Sequence, residues 1–301
     1  MWQFLQVSDP HLGSETDGIW NNKFLCTMMP EVMGCLRKDL AGTRADFILA
    51  TGDIASRQTR DAMFAARDFM DSLGLPYYPM GGNHDFVLDE SRDWFLEVFQ
   101  AHLPVKDTVY SFTHKNLHFC VLDPWWEWSD GTLHPFSEGQ AAAKMDKTLE
   151  CMRWAVPPHQ FAWLEDDLAN HQGVPAIIAT HYPVIAIPQR LRRPGLKDAG
   201  YLSNGDDLTG LLESFPQVKA ILSGHVHMHF IEPLCDGLTQ VVTGALPEFP
   251  MEYRLVEVYD DRIEITTQGL SDRSLPQRSL IQGNDWPAGQ ARDRTATIAL
   301  I

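Results

Sequence analysis

The sequence predicts an α/β fold with a mixed or second sheet, and three observations carry the prediction. Short apolar runs alternate with helical patterns from Phe4 to Met80, strand-like segments dominate two later stretches, and 301 residues at 44% hydrophobic content can bury a large core. Alternation of strand and helix implies right-handed crossovers between parallel strands, whereas the later runs call for hairpin pairing.

Phe4–Val7 is a short buried strand, followed at once by Ser8, Asp9, Pro10 and His11. Pro30 opens a helix carrying Val32, Met33, Leu36 and Leu40 on one face, and Gly42 stops it. Phe47–Ala50 is the next strand and leads into Thr51-Gly52-Asp53. A second helix starts near Thr59, with Met63, Ala66, Met70 and Leu73 at helical spacing and Gly74 behind them. Tyr77–Met80 is a third strand, running into Gly81-Gly82-Asn83-His84-Asp85. Thr108–Phe112 and Leu117–Leu122, joined by a short polar turn, make an antiparallel pair. From Asp123 to about Pro158 the chain reads as an irregular insertion rich in tryptophan: Trp125, Trp126, Trp128 and Trp154, with His134 and Phe136 among them. Phe161, Leu164 and Leu168 mark a helix, and Ala176–Ala179 a strand that ends in Thr180-His181. Leu208, Leu211, Leu212 and Phe215 mark another helix, followed by the strand Ala220–Leu222 and then Ser223-Gly224-His225-Val226-His227. Leu238–Thr243, Arg254–Tyr259 and Arg262–Thr266 are hairpin material. The organisation predicted is one domain over residues 1–270, with the tryptophan-rich insertion inside it, and an irregular tail over 271–301.

Composition narrows the function. Charged residues make up 21%, an ordinary globular share, and no apolar run approaches the roughly eighteen residues of a membrane span. Asp9 and His11 stand where the apolar core of a signal peptide would lie, which argues against a cleaved leader. Five cysteines are scattered singly with no Cys-x-x-Cys spacing, so free thiols in a reducing cytoplasm are expected. The net charge of −16 disfavours nucleic acid and anionic membrane surfaces as partners, because phosphate contacts need a basic stripe. The one basic run, Arg190, Arg192 and Arg193 with Lys197, lies shortly after His181 and could reach a substrate anion, although a solvated loop is the reading that charge runs favour.

The chemistry sits in Asp9, His11, Asp53, Asn83, His181, His225 and His227. Two carboxylates, one amide oxygen and four imidazoles are too many for one tetrahedral ion and suit two adjacent ions that share a carboxylate. Oxygen and imidazole donors without thiolate favour manganese, iron or zinc. Taken singly, each motif has a structural explanation: a loop histidine, an Asp in a turn, a buried imidazole bonded to backbone. Taken as an ordered set, each group closes a predicted strand, and in open α/β sheets ligand sites lie beyond the strands' carboxyl ends.

These motifs, Asp9-x-His11, Gly52-Asp53, Gly82-Asn83-His84-Asp85, His181 and Gly224-His225-x-His227, resemble the full signature of the calcineurin-like metallophosphoesterase superfamily. The resemblance implies a two-sheet mixed β-sandwich flanked by helices, a four-layer α/β/β/α fold. It places Asp9, His11 and His227 on a first ion, Asn83, His181 and His225 on a second, with Asp53 bridging. It also sets His84 outside the metal shell as catalytic acid or charge stabiliser, oriented by Asp85. The activity implied is hydrolysis of a small phosphodiester by in-line attack of a metal-bridging hydroxide, as in class III cyclic-nucleotide phosphodiesterases. Glycerophosphodiesters are the other diester candidates. A phosphomonoesterase with the same centre is the alternative. A nuclease, whose relatives share an opening like Ser8–Gly13, and a non-catalytic scaffold are further readings, opposed respectively by the acidic charge and by the complete ligand set. The tryptophan-rich segment is open between lid, packing element and oligomer contact, and a homo-oligomer is left open with it.

Overall fold

The structure is a computed structural model that describes residues 1–56, 59–86, 88, 90–127, 133–134, 153–193, 196 and 200–301. Two six-stranded sheets face each other. The first contains β1 (Trp2–Val7), β2 (Ala45–Thr51), β3 (Tyr77–Met80), β10 (Glu252–Val258), β11 (Arg262–Gly269) and β12 (Thr295–Ala299). The second contains β4 (Tyr110–His114), β5 (Leu117–Val121), β6 (Ala176–Ala179), β7 (Val218–Ser223), β8 (Phe230–Cys235) and β9 (Leu238–Val242). Strand order is β12-β11-β10-β1-β2-β3 in one and β8-β9-β7-β6-β5-β4 in the other. The strands of the βα units pair in parallel, β1 with β2 and β2 with β3, then β5 with β6 and β6 with β7, while the hairpin strands pair antiparallel at the edges.

Apolar alternation explains the layers. The inward faces of both sheets meet in one core: Phe4 stacks on Phe47 at 5.2 Å and meets Phe119 of the opposite sheet edge-on at 5.3 Å. The outer face of the first sheet is covered by α1 (Met29–Leu40), α2 (Arg60–Asp71) and α3 (Ser91–Val98). That of the second is covered by α4 (Pro158–Asn170) and α5 (Gly205–Glu213). This is the four-layer α/β/β/α sandwich. Thr59 caps α2 by accepting the Ala62 N–H at 3.2 Å, a contact worth about 1 kcal/mol.

Four expectations change. The tail is ordered structure: α6 (Ser274–Ser279) packs its Leu275 in the core, and β12 pairs with β11 as the edge strand, because Ile298 and Leu300 reach the inter-sheet core. Leu238–Val242 does not join the later hairpin. It lies parallel to β7 in the second sheet, with the unforeseen strand β8 beside it. The 123–158 segment is not wholly irregular, since Trp125–Glu127 pairs with Leu133–His134 and with Arg153–Ala155 in a small separate sheet. Trp128 and Phe136 lie outside the described residues. Arg190 is not solvated: it bonds Glu232 at 2.8 Å and the fully buried Asp293 at 2.6 Å, pinning the C-terminal segment to β8. Among the described residues no helix is long and apolar enough to cross a membrane. Cys26, Cys35, Cys120 and Cys235 are free thiols, and Cys151 falls outside the described residues.

Candidate metal centre

Every ligand candidate follows a strand at one end of the sandwich. Asp9 and His11 follow β1, Asp53 follows β2, Asn83 follows β3, His181 follows β6, and His225 and His227 follow β7. Strands must stop abruptly for side chains to turn into a shared space, and the backbone records this. Asp9, His11, Asp53, His225 and His227 all hold φ between 44° and 67°, a conformation that costs free energy in non-glycine residues and collects at functional sites. Gly52 has φ of 93°, and a Cβ there would collide with the His181 ring.

Six of the seven candidates come together in two groups that share Asp53. Asp9, His11, Asp53 and His227 form one, and Asp53, His181 and His225 the other, with the ligand atoms of each group within 4.8 Å of one another. In the first group His11 Nε2 and His227 Nε2 face each other at 3.2 Å, and Asp9 Oδ1 lies 3.3 Å from His227 Nε2. Asp53 Oδ2 is 3.6 Å from His11 Nε2 and 3.3 Å from His181 Nε2, so one carboxylate oxygen looks into both groups. In the second, His181 Nε2 and His225 Nδ1 are buried with no hydrogen-bond partner among the described residues, and so is Oδ1 of Asn83, which lines the adjoining cleft with His225. Orphaned buried donors and acceptors are costly, and here three of them are ligand atoms of the same kind that bind divalent cations.

A third group, His118, Cys120 and Asp167, shows the contrast. His118 lies between Thr113 Oγ1 at 2.8 Å and Asp167 Oδ2 at 2.7 Å, and Asp167 also accepts from Ser111 at 2.7 Å and Cys120 at 3.2 Å. Its polar atoms are satisfied by one another, so it fastens α4 to β4 and β5 rather than awaiting a cation.

Electrostatics separate the imidazoles. Burial, helped by neighbouring histidines, holds His11 and His225 well below their ordinary pKa, keeping the rings neutral lone-pair donors. Burial also acts to lower His181 and His227, but carboxylates overcome it. Asp53 and Asp9 lift His181 to about 9, and Asp9 with Glu248 lift His227 to about 10. For Asp53 burial raises the pKa, and the His181, His84 and His11 rings outweigh it and hold the group well below the carboxylate range. A cation held by the first group would displace the proton of His227, and one held by the second that of His181.

Supporting contacts fix the rest. Ser8 Oγ donates to Asp9 Oδ2 at 2.5 Å, the His225 N–H donates to the same oxygen at 3.0 Å, and His181 Nδ1 meets the Thr51 carbonyl at 2.8 Å. His84 donates its backbone N–H to Asp53 Oδ1 at 2.8 Å, and its ring lies edge-on to His11 at 4.7 Å. Asp85 departs from the expected role of orienting that ring. Fully buried, its two oxygens accept the backbone N–H groups of Gly82, Ile54 and Ala55 at 2.8 to 3.1 Å, tying the loop after β3 to the loop after β2. Buried carboxylates take whatever donors lie beneath them, and here those are amides.

A cleft of about 740 Å³ opens beside the groups, lined by His84, His225, Arg193, Trp20, Trp154 and Trp286. Trp154 stacks on Tyr182 at 4.3 Å and stands edge-on to His225 at 6.0 Å. Trp20, 63% exposed, comes from the short hairpin Gly18–Ile19/Lys23–Phe24, and Trp286 from the C-terminal segment. Sequence reading missed both, along with the buried Glu248. The available signal for Glu248 was its position shortly after β9, at the same end of the sandwich as every ligand.

Comparison with known proteins agrees with this geometry. A family profile described as calcineurin-like phosphoesterase matches residues 3–229. A 3′,5′-cyclic-nucleotide phosphodiesterase from Nostoc sp. is 24% identical over 229 residues, covering 75% of this chain and 71% of that one. A protein named "probable glycerophosphodiester phosphodiesterase" from Arcobacter nitrofigilis is 23% identical over 231 residues, covering 74% and 71%. Among solved structures, a dimetal phosphatase from Danio rerio superposes with a TM-score of 0.71 at 17% identity, over 100% of this chain and 99% of that one. The chain belongs to the calcineurin-like phosphoesterase family, and is a metal-dependent phosphoester hydrolase.

Proposed function

We propose that the protein hydrolyses a small phosphodiester of the cyclic-nucleotide or glycerophosphodiester type, using two divalent cations drawn from manganese, iron and zinc. The observation that carries the reading is the membership of Asp53 in both ligand groups. Asp9, His11, Asp53 and His227 would hold one cation, and Asp53, Asn83, His181 and His225 the other. Bound there, the two cations would supply a nucleophile at neutral pH and neutralise the phosphate oxygens. His84 faces the cleft beside them, half-buried, with its backbone anchored to Asp53. It can give a proton to the departing alkoxide or stabilise its charge. A cleft of about 740 Å³ with tryptophan on several sides leaves room for an organic group on each side of the phosphorus, which favours a diester over a monoester. The names of the relatives from Nostoc and Arcobacter support the same choice. A cytoplasmic location is supported by the free thiols, and the net charge of −16 speaks against a nucleic-acid substrate.

The test compares a bis-aryl phosphodiester with an aryl phosphomonoester after chelation and after reconstitution with Mn, Fe or Zn. Diester turnover should vanish with chelator and return with metal, exceeding monoester turnover. Full activity in protein stripped of metal would refute the dinuclear reading, and a reversed preference would refute the diester reading.

A further inference from the structure

We infer that Glu248 is a positioning residue that fixes the tautomer of His227 and thereby strengthens one of the two cation sites; this rests on the dinuclear reading above. Glu248 is fully buried. One oxygen meets His227 Nδ1 at 2.7 Å, and the other accepts the Asn22 backbone N–H at 2.7 Å. An ionised carboxylate can only accept, so it requires the hydrogen of His227 on Nδ1. The lone pair is then on Nε2, the atom that faces Asp9 and His11. Phe24 stacks on the His227 ring at 5.4 Å and covers one of its faces.

The loop that carries Glu248 is itself fastened. Leu25 N–H donates to the Pro247 carbonyl at 2.8 Å, Phe249 N–H to Ser279 Oγ at 2.8 Å, and Met251 N–H to the Glu248 carbonyl at 2.9 Å. Asn21 Nδ2 donates to the Val226 carbonyl at 3.0 Å, so the loop of His227 is tied to the hairpin that Glu248 also holds. The other imidazoles are treated differently. His181 leans on a neutral carbonyl, that of Thr51, and His11 Nδ1 has no hydrogen-bond partner among the described residues. Within these groups His227 is the ring with a carboxyl group directly behind it. Carboxylates bonded to ligating histidines raise ligand basicity, and their loss typically weakens metal affinity about 10–100-fold.

Glu248→Gln makes the decisive variant, because a neutral amide cannot satisfy both donors. If its oxygen takes His227, its NH₂ opposes the Asn22 N–H. If it flips, its NH₂ forces the ring hydrogen onto Nε2, facing the cation. Manganese titration of the whole protein, with bound metal measured after equilibrium dialysis, should show two ions in the parent and, in Glu248→Gln, one of them weakened about 10–100-fold with the other unchanged. Nitrogen-15 NMR of the imidazoles in protein loaded with diamagnetic zinc, where the cation replaces the Nε2 proton, should show His227 with its hydrogen on Nδ1 in the parent and altered in the variant, with Glu248→Asp restoring it in part. Unchanged affinity for both ions, equal weakening of both, or an unchanged His227 tautomer would overturn the assignment. Parent protein that takes up fewer than two ions would instead overturn the dinuclear reading, and the tautomer measurement would still decide the role of Glu248.

Discussion

Asp53 shows how one residue can hold a site together. One of its oxygens points at His11 and His181, and the other accepts the His84 amide, so the ligand groups and the expected acid meet at a single carboxylate. Asp53→Ala should therefore strip both ions, whereas Asn83→Ala should weaken only the second; elemental analysis after gel filtration measures both, and two ions retained by Asp53→Ala would exclude bridging. His84→Ala should keep its metal and lose about 10²–10⁴ in turnover, the range of a positioned acid–base group, with a smaller loss on nitrophenyl esters than on alkyl esters. Equal losses on both esters would leave electrostatic stabilisation as its role. The ligand candidates were legible in the sequence because each sits two to four residues past the carboxyl end of an apolar strand. Glu248 was not, because its partners His227 and Asn22 are 21 and 226 positions away in the chain and only the fold brings them near. Asp85 was read for its motif, and its actual amide partners likewise depend on two loops meeting.

At the scale of elements, the loops that end the strands do the chemistry and the strands keep them in register. The bend after β7 shows the tolerance involved: Gly224 packs so closely that a Cβ would strike Ser8 Oγ and Asp9 Oδ2. Gly224→Ala should displace Asp9, lower metal content and leave the far-ultraviolet dichroism of the sandwich intact. Full metal occupancy in that variant would show that the β1 and β7 loops do not constrain each other. Periodicity disclosed β1, β2, β3, α1 and α2, since a buried strand and a one-faced helix each print their pattern on the sequence. It could not assign β9 to a sheet, because an apolar run looks the same whether its neighbour is β7 or β10. Nor could it foresee β12 in a polar tail: only Ile298 of that strand is buried, and pairing with β11 does the rest.

For the whole molecule, a seam of buried charge joins the two sheets where the C-terminal segment crosses them. Arg254 of the first sheet, fully buried, donates to the Val242 carbonyl of the second at 3.0 Å and to the Asp293 carbonyl at 2.7 Å. Glu252 beside it takes both Nη atoms of Arg294, at 2.7 and 3.0 Å, and lies 3.4 Å from His229 Nε2. His229 Nδ1 accepts the Gly244 N–H at 3.2 Å, which requires that nitrogen to be unprotonated. Burial above all, reinforced by the Arg254 charge, pushes the His229 pKa down to about 4 from 6.5. Between those values the unfolded chain binds a proton that the folded one refuses, so stability should fall as pH drops from about 6.5 to 4. At about 1.4 kcal/mol per pKa unit the full effect is about 3 kcal/mol. Glu252 acts in a lower window. Burial would raise its pKa, but His229 and Arg294 hold it at about 2, so its contribution is complete above about 4.5 and is lost only as pH falls toward 2. Acid loss between pH 6.5 and 4 at this seam therefore belongs to His229. Urea unfolding in chelator at pH 7.5, 6, 5 and 4, run on the parent and on His229→Gln, measures it. A glutamine can accept from Gly244 and donate to Glu252 without titrating, so the variant should lose less stability over that interval, by about 2–3 kcal/mol. Parallel pH curves for the two proteins would mean that His229 binds its proton as readily in the fold as in the unfolded chain, so that burial at the seam does not set its titration.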